Sequence, residues 1–78
     1  MYSINLEKTG EKIKFLREKK MLTKKELSYM FGFSDVRTVY HWERGRNLPR
    51  VDNLFMLADF LGTTVDELVE MNKDEMTS

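Results

Sequence analysis

Apolar positions repeat every three or four residues along most of the chain, which is the period of an amphipathic α-helix. No stretch alternates apolar and polar residues as a half-buried strand does, and no Asn-Gly hairpin turn occurs. The pattern therefore predicts an all-α fold, a compact bundle of five short helices. Their predicted bounds are residues 5–20, 23–31, 35–44, 52–61 and 64–69.

Capping residues and glycines mark the predicted helix ends. Residues 23–26 and 64–67 both read Thr-x-x-Glu, the capping box in which the Thr hydroxyl and the Glu carboxylate accept unpaired N–H groups of the first turn. Asp35 is the predicted N-cap of the third helix. Gly32 and Gly45 end the second and third helices, since glycine readily adopts the left-handed conformation found at helix ends.

The second and third predicted helices are joined by a tight turn at residues 32–34, a pattern typical of the helix-turn-helix. In that motif the first helix crosses the DNA backbone and the second lies in the major groove. The second helix must then be apolar inside and carry hydrogen-bond donors outside. Val39 and Trp42 fit the inner side, whereas Arg37 and His41, four positions apart, share an outer face.

The length and composition favour one small globular domain. The chain has 78 residues, 41% of them apolar and 33% charged, which leaves room for a single small core. We expect this domain to cover residues 1–71, with the helix-turn-helix at about 23–44. Residues 72–78 are nearly all polar or charged, so they are expected to form a flexible acidic tail.

Several kinds of site are excluded by the composition. The chain has no Cys, which excludes disulfides and Cys-based zinc sites, and its single His cannot build a metal cluster. No nucleophile–base pair or Gly-rich phosphate loop occurs, so we predict no enzyme, no cofactor and no small-molecule ligand. No apolar run reaches the ~20 residues of a membrane span, and no signal peptide is evident, which favours a cytoplasmic protein with no membrane partner.

The formal net charge of zero conceals two opposite parts of the chain. Residues 1–50 carry 12 Lys and Arg against 6 Asp and Glu, whereas residues 51–78 carry one Lys against 7 acids. Such an asymmetry is one of the signs of binding to nucleic acid or another anionic surface. The alternative is that the charges belong to ordinary solvated faces.

A set of short motifs runs from Gly10 to Leu68. They are Gly10-Glu11-Lys12-Ile13, Phe15-Leu16-Arg17-Glu18, Leu22-Thr23, Glu26-Leu27, Gly32-Phe33, Val39-Tyr40-His41-Trp42-Glu43-Arg44-Gly45, Leu48-Pro49, Leu57-Ala58-Asp59-Phe60-Leu61-Gly62 and Val65-Asp66-Glu67-Leu68. This set resembles the lambda-repressor-like (Xre-type) helix-turn-helix family. The resemblance implies a compact five-helix DNA-binding domain. Most members regulate transcription, usually as dimers on two half-sites, and many are encoded by bacteria and phages.

The resemblance also implies roles for individual residues. The expected base contacts are Arg37, His41 and Thr38. The expected phosphate contacts are Thr23, Lys24, Tyr40, Arg44, Arg46 and Asn47. Arg17 and Glu43 match a pair that forms a structural ion pair between the first and third helices.

The chain departs from the family pattern at several places, among them Lys24, which stands at a usual Gln position, and Arg50, which stands where a Ser or Thr often caps the fourth helix. The turn before the third helix is one residue longer than the commonest form, and this extra residue affects the register of Val36 and Arg37 against bases more than that of His41. Glu67 replaces an apolar residue that some dimeric relatives use for contact. Region 60–71 is nevertheless the candidate surface for a homodimer.

Alternatives stay open for several side chains. His41 is either a base or phosphate contact or an idle surface residue, and Arg37 either reads bases or pairs with Asp35 or Glu11. Trp42 is either core or a stacking platform. The lysines of the first helix are interpreted as ordinary solvated side chains, namely Lys12, Lys14, Lys19 and Lys20.

The leading hypothesis is a sequence-specific binder of double-stranded DNA, a small transcriptional regulator, in particular a repressor, that reads the major groove with helix 35–44. The runner-up is an antitoxin or protein-interaction module that uses the acidic C-terminal half. A third hypothesis is a monomeric domain that is half of a larger regulator.

Overall fold

The computed structural model describes residues 2–73, and within them the predicted five-helix bundle is confirmed. Two short strands accompany the helices. The elements in chain order are β1 (Tyr2–Ile4), α1 (Leu6–Lys19), α2 (Lys24–Met30), α3 (Arg37–Glu43), α4 (Val51–Leu61), α5 (Val65–Leu68) and β2 (Met71–Lys73).

The first predicted capping box is confirmed and the second forms only in part. Thr23 Oγ1 accepts the N–H of Glu26, and the Glu26 carboxylate accepts the N–H of Thr23 at 2.8 Å. Thr64 Oγ1 likewise accepts the N–H of Glu67, but the reciprocal bond from the Thr64 N–H to the Glu67 carboxylate does not form.

The third helix is shorter than predicted. It begins at Arg37 rather than at Asp35, and its N-cap is Val36, which has no side-chain cap bond. The Asp35 carboxylate instead accepts the N–H of Arg37 at 2.9 Å, which holds the longer turn together one position away from the expected cap. The helix ends at Glu43, with Arg44 as the C-cap, so the predicted bounds 35–44 were too wide.

The prediction of no strands was wrong at both ends of the described chain. Strand β1 pairs antiparallel with β2, and Ser3 lies opposite Asn72. Three residues are too few to show alternation, and the partner strand lies far away in the sequence, so no local pattern indicates the pairing. Residues 72 and 73, which were assigned to the tail, belong to β2. Residues 74–78 of that predicted tail lie outside the described residues.

The core is formed by apolar side chains on the inward-facing side of each helix. Its buried members are Ile13, Leu27, Val39, Trp42, Leu54, Leu57, Ala58, Leu61 and Leu68. Trp42 belongs to the core and packs edge-on against Phe31 and Phe33, with ring centroids 5.3 and 5.8 Å away. Because Trp42 and Val39 face inward, the opposite side of α3 is left for solvent or a partner.

Candidate nucleic-acid interface

Helix α3 is held against α1 at a point where only glycine fits. A Cβ atom on Gly10 would lie 2.5 Å from the carbonyl oxygen of Trp42 and 2.7 Å from that of Glu43. The two helix backbones therefore approach each other closely. The end of α3 thus lies directly against the backbone of α1.

A buried ion pair joins the same two helices. Arg17 of α1 donates from Nε to Glu43 Oε2 at 2.6 Å and from Nη2 to Glu43 Oε1 at 3.1 Å, and both side chains are buried. Its Nη1 donates to the backbone carbonyl of Leu22 at 2.8 Å, at the turn before α2. Hydrogen bonding to Glu43 raises the pKa of Arg17, and desolvation opposes this shift more weakly. The guanidinium thus stays charged and links three segments of the motif.

The outer face of α3 carries the residues that were predicted to contact bases. Arg37 is the first residue of the helix, and its side chain is 77% exposed. Its Nη2 lies 3.7 Å from Asp35 Oδ2, a loose pair in water that leaves most donors unused. His41 follows one turn later and lines the same shallow surface hollow as Arg37 and Tyr40. Thr38 is half-buried beside them.

The residues predicted to contact phosphate fall into two groups. Lys24, Tyr40 and Arg44 are brought together by α2 and α3, where Arg44 donates to Tyr40 Oη at 3.2 Å. Arg46 and Asn47 are exposed on the loop between α3 and α4. Thr23, at the start of α2, uses its hydroxyl oxygen as a helix cap and keeps its O–H proton for a further bond.

One lysine that the sequence did not single out lies beside this surface. Lys14 lines the same cleft as Lys24, Tyr40 and Arg44, although it was grouped with ordinary solvated lysines. It precedes Arg17 by three positions, so both lie on neighbouring rows of α1. Because Arg17 matched a residue that pairs with α3, this spacing already indicated that Lys14 faces α3.

Within residues 2–73, the surface around α3 carries hydrogen-bond donors and positive charge rather than reactive groups. Within residues 2–73, no three His, Cys, Asp or Glu side chains are grouped as a metal site would require. In the same range no helix combines the length and apolarity that crossing a membrane requires. Donors on one helix face flanked by cations are suited to base edges and phosphates.

Comparison with known proteins identifies the fold. Residues 13–68 match the model of a helix-turn-helix family. The chain belongs to this lambda-repressor-like helix-turn-helix family. The helix-turn-helix domain is similar to the DNA-binding domain of BldD from S. venezulae, with 27% identity and a TM-score of 0.72 over 85% of this chain and 97% of that one.

A second structural relative agrees with the first. A crystal structure of the DNA-binding domain of BldD matches this helix-turn-helix domain with 27% identity and a TM-score of 0.71 over 85% of this chain and 94% of that one. Comparison with curated proteins gives no significant match. The helix-turn-helix that was predicted from the sequence is therefore confirmed as a family assignment, and the contacts of single residues stay predictions.

Proposed function

We propose that this helix-turn-helix domain binds double-stranded DNA at specific sequences and represses transcription. The observation that carries the proposal is the outer face of α3. Arg37 and His41 are presented there on a helix that Gly10 and the Arg17–Glu43 pair fix in place. Similarity to the DNA-binding domains of BldD supports the same function.

The proposed division of labour separates base contacts from phosphate contacts. Arg37 and His41 read base edges in the major groove, with Thr38 beside them, since a guanidinium can bond guanine at two atoms. The residues around α3 hold the backbone and set the register without reading sequence. They are Thr23, Lys24, Tyr40, Arg44, Arg46 and Asn47.

The function is tested by selecting bound duplexes from a random DNA pool and measuring their affinity at several salt concentrations. We expect an enriched sequence whose affinity falls steeply with salt, because phosphate binding releases counterions. A pool without enrichment, or an affinity independent of salt, contradicts the proposal.

The division of labour is tested with two variants. Arg37→Ala should lose about 1–3 kcal/mol of discrimination at one or two base pairs. Lys24→Ala should weaken binding to the selected site and to random duplex by the same factor, since a phosphate contact carries no sequence information. Equal, sequence-independent losses in both variants would show that Arg37 is not a base reader.

A second candidate function is a protein-interaction module, such as an antitoxin, that uses the acidic half. The observation that favours it is the outer face of α4, where Phe55 is 63% exposed beside the acidic Asp52 and Asp59. Selection without DNA enrichment, together with a stable complex formed with a co-expressed protein encoded next to this chain, would favour it.

We also propose a homodimer through region 60–71, which would place two copies of α3 on two half-sites. Most apolar side chains of this region pack into the core, and Met71 on β2 is its exposed apolar residue, with 52% exposure.

A further inference from the structure

A cleft on the surface lies where α1, α2 and α3 meet. It is lined by Lys14 of α1, Lys24 of α2, and Tyr40, Glu43 and Arg44 at the end of α3. Three separate helices thus contribute to one cleft, and two of them bring a lysine. The cleft opens beside the face of α3 that carries the predicted base contacts, because Tyr40 lines both.

The net charge of the cleft is positive despite the carboxylate that lines it. Glu43 is bonded through both oxygens to Arg17, so that pair is neutral as a unit. Lys24 Nζ lies 3.8 Å from Glu43 Oε1, a distance too long for a hydrogen bond. Within residues 2–73, neither Lys14 nor Arg44 lies within salt-bridge distance of a carboxylate. Lys14, Lys24 and Arg44 therefore leave the cleft with uncompensated positive charge.

The cleft is also partly ordered before any ligand arrives. The Arg44 guanidinium lies 5.3 Å from the centre of the Tyr40 ring and donates to Tyr40 Oη. These two contacts hold Arg44 at one wall and reduce the rotamer freedom that binding would otherwise remove. Tyr40 accepts this bond, so its O–H proton stays available for an anionic oxygen.

We infer that the cleft binds one backbone phosphate of DNA and that Lys14 is one of the residues that hold it. The inference rests on the proposed DNA binding and adds to it a residue of α1 and a single shared phosphate. A phosphate offers several acceptor oxygens, which suits donors that come from three directions. Held by all three helices, this phosphate fixes the register of α3 along the groove.

The experiment compares Lys14→Gln with Lys8→Gln. Both residues are exposed lysines of α1, but Lys8 does not line the cleft, so the two variants lose the same charge at different places. Binding to the selected duplex is measured between 50 and 200 mM salt, a range over which phosphate contacts change affinity by orders of magnitude. Melting curves of both variants show that the fold is kept.

The inference predicts that Lys14→Gln reduces the slope of log affinity against log salt by about 0.9, the value for one phosphate contact. Lys8→Gln should leave that slope as in the wild type. Equal slopes in the two variants overturn the inference, whereas a wild type that binds no duplex overturns the proposed function instead.

A second measurement identifies the phosphate. Duplexes that carry one uncharged methylphosphonate linkage are tested in turn against the wild type and Lys14→Gln. With one particular linkage replaced, the wild type and Lys14→Gln should have the same affinity, because the phosphate charge that Lys14 contacts has been removed. With any other linkage replaced, the wild type should still bind more tightly than Lys14→Gln. If no linkage abolishes the difference, Lys14 acts through long-range attraction and the shared-phosphate inference is wrong. Inorganic phosphate alone should not compete at the same concentration as duplex, and if it does, the cleft is a general anion site.

Discussion

Arg17 shows how much a single side chain contributes to this motif. Its guanidinium is buried, satisfies both oxygens of Glu43 and also holds the carbonyl of Leu22. We expect Arg17→Ala to destabilise the domain by about 3–5 kcal/mol, because it leaves the Glu43 carboxylate buried without its partner. The free energy of unfolding in urea measures this effect.

The control for this prediction is Glu18→Ala. Glu18 is exposed, and its carboxylate lies 3.9 Å from Arg17 Nη2, so we expect a change well below 1 kcal/mol. The double variant Arg17→Met with Glu43→Leu should lose less stability than Arg17→Ala, since it removes the stranded charge. A double variant that is less stable than the single one would show that the ion pair itself supplies the stability.

At the scale of single residues, the sequence predicted the Arg17–Glu43 ion pair but not which side chains surround Lys14. The ion pair was expected because Arg17 and Glu43 match two positions that pair in the helix-turn-helix family. The place of Lys14 in the cleft with Lys24, Tyr40 and Arg44 did not follow from the sequence, because it depends on where α1 crosses α3, next to the close approach at Gly10. Spacing along α1 places Lys14 on the side of Arg17, but it does not predict the distances to side chains of α2 and α3.

The contact between α1 and α3 depends on the backbone of Gly10. In an isolated helix, alanine is more favourable than glycine by about 1 kcal/mol. Here we expect Gly10→Ala to destabilise the domain by about 1–3 kcal/mol. The new Cβ would clash with backbone carbonyl oxygens at the end of α3, which can move only if the helix backbone moves with them. Thermal unfolding measures the loss, and DNA affinity should fall with it as α3 shifts.

Gly32→Ala separates this contact from a general effect of glycine. Gly32 has φ +77°, and a Cβ there would meet nothing within 4 Å, so only backbone strain of about 1 kcal/mol is expected. DNA affinity should change less in Gly32→Ala than in Gly10→Ala. If Gly10→Ala were as stable as the wild type, the close backbone contact between α1 and α3 at Gly10 would not be needed for stability.

Helix ends could be predicted where residues close in the sequence determine them. The two strands could not, because their pairing joins distant parts of the chain. The capping box at Thr23 and the stop at Gly32 are encoded within a few residues, so α2 followed from the sequence. The start of α3 was misplaced because the Asp35 carboxylate accepts the N–H of Arg37, the first residue of the helix, while Val36 takes the N-cap position. The β1–β2 pair depends on contacts between the two ends, such as the Asn5 N–H with the Glu70 carbonyl at 2.8 Å.

The basic and the acidic part of the sequence belong to different elements of the fold. The basic residues of the proposed interface come from α1, α2, α3 and the loop after α3, whereas α4 and α5 are acidic. Lys12 of α1 reaches Glu70 at 3.1 Å, so the two parts also meet. The proposed DNA binding predicts that the basic elements attract an approaching duplex and that the acidic elements repel it, which would orient the domain before contact.

The proposed homodimer is the property of the whole molecule that is simplest to test. Region 60–71 exposes Met71, and a two-fold contact would bring that residue close to its counterpart. We expect the wild type to sediment as a dimer and Met71→Glu as a monomer, since the variant buries a charge at an apolar contact. Met21→Glu is the matched control, because Met21 is 88% exposed in the turn after α1, outside the region.

The same sedimentation measurement separates the alternative surfaces. Phe55→Glu alters the exposed face of α4 rather than region 60–71. If this variant alone is monomeric, the contact lies on α4. A wild type that sediments as a monomer at all concentrations contradicts dimerisation in solution, and in that case the symmetry of the selected DNA sites decides whether two copies meet on DNA. A single asymmetric site would mean that one domain binds alone, with a register set by its own phosphate contacts.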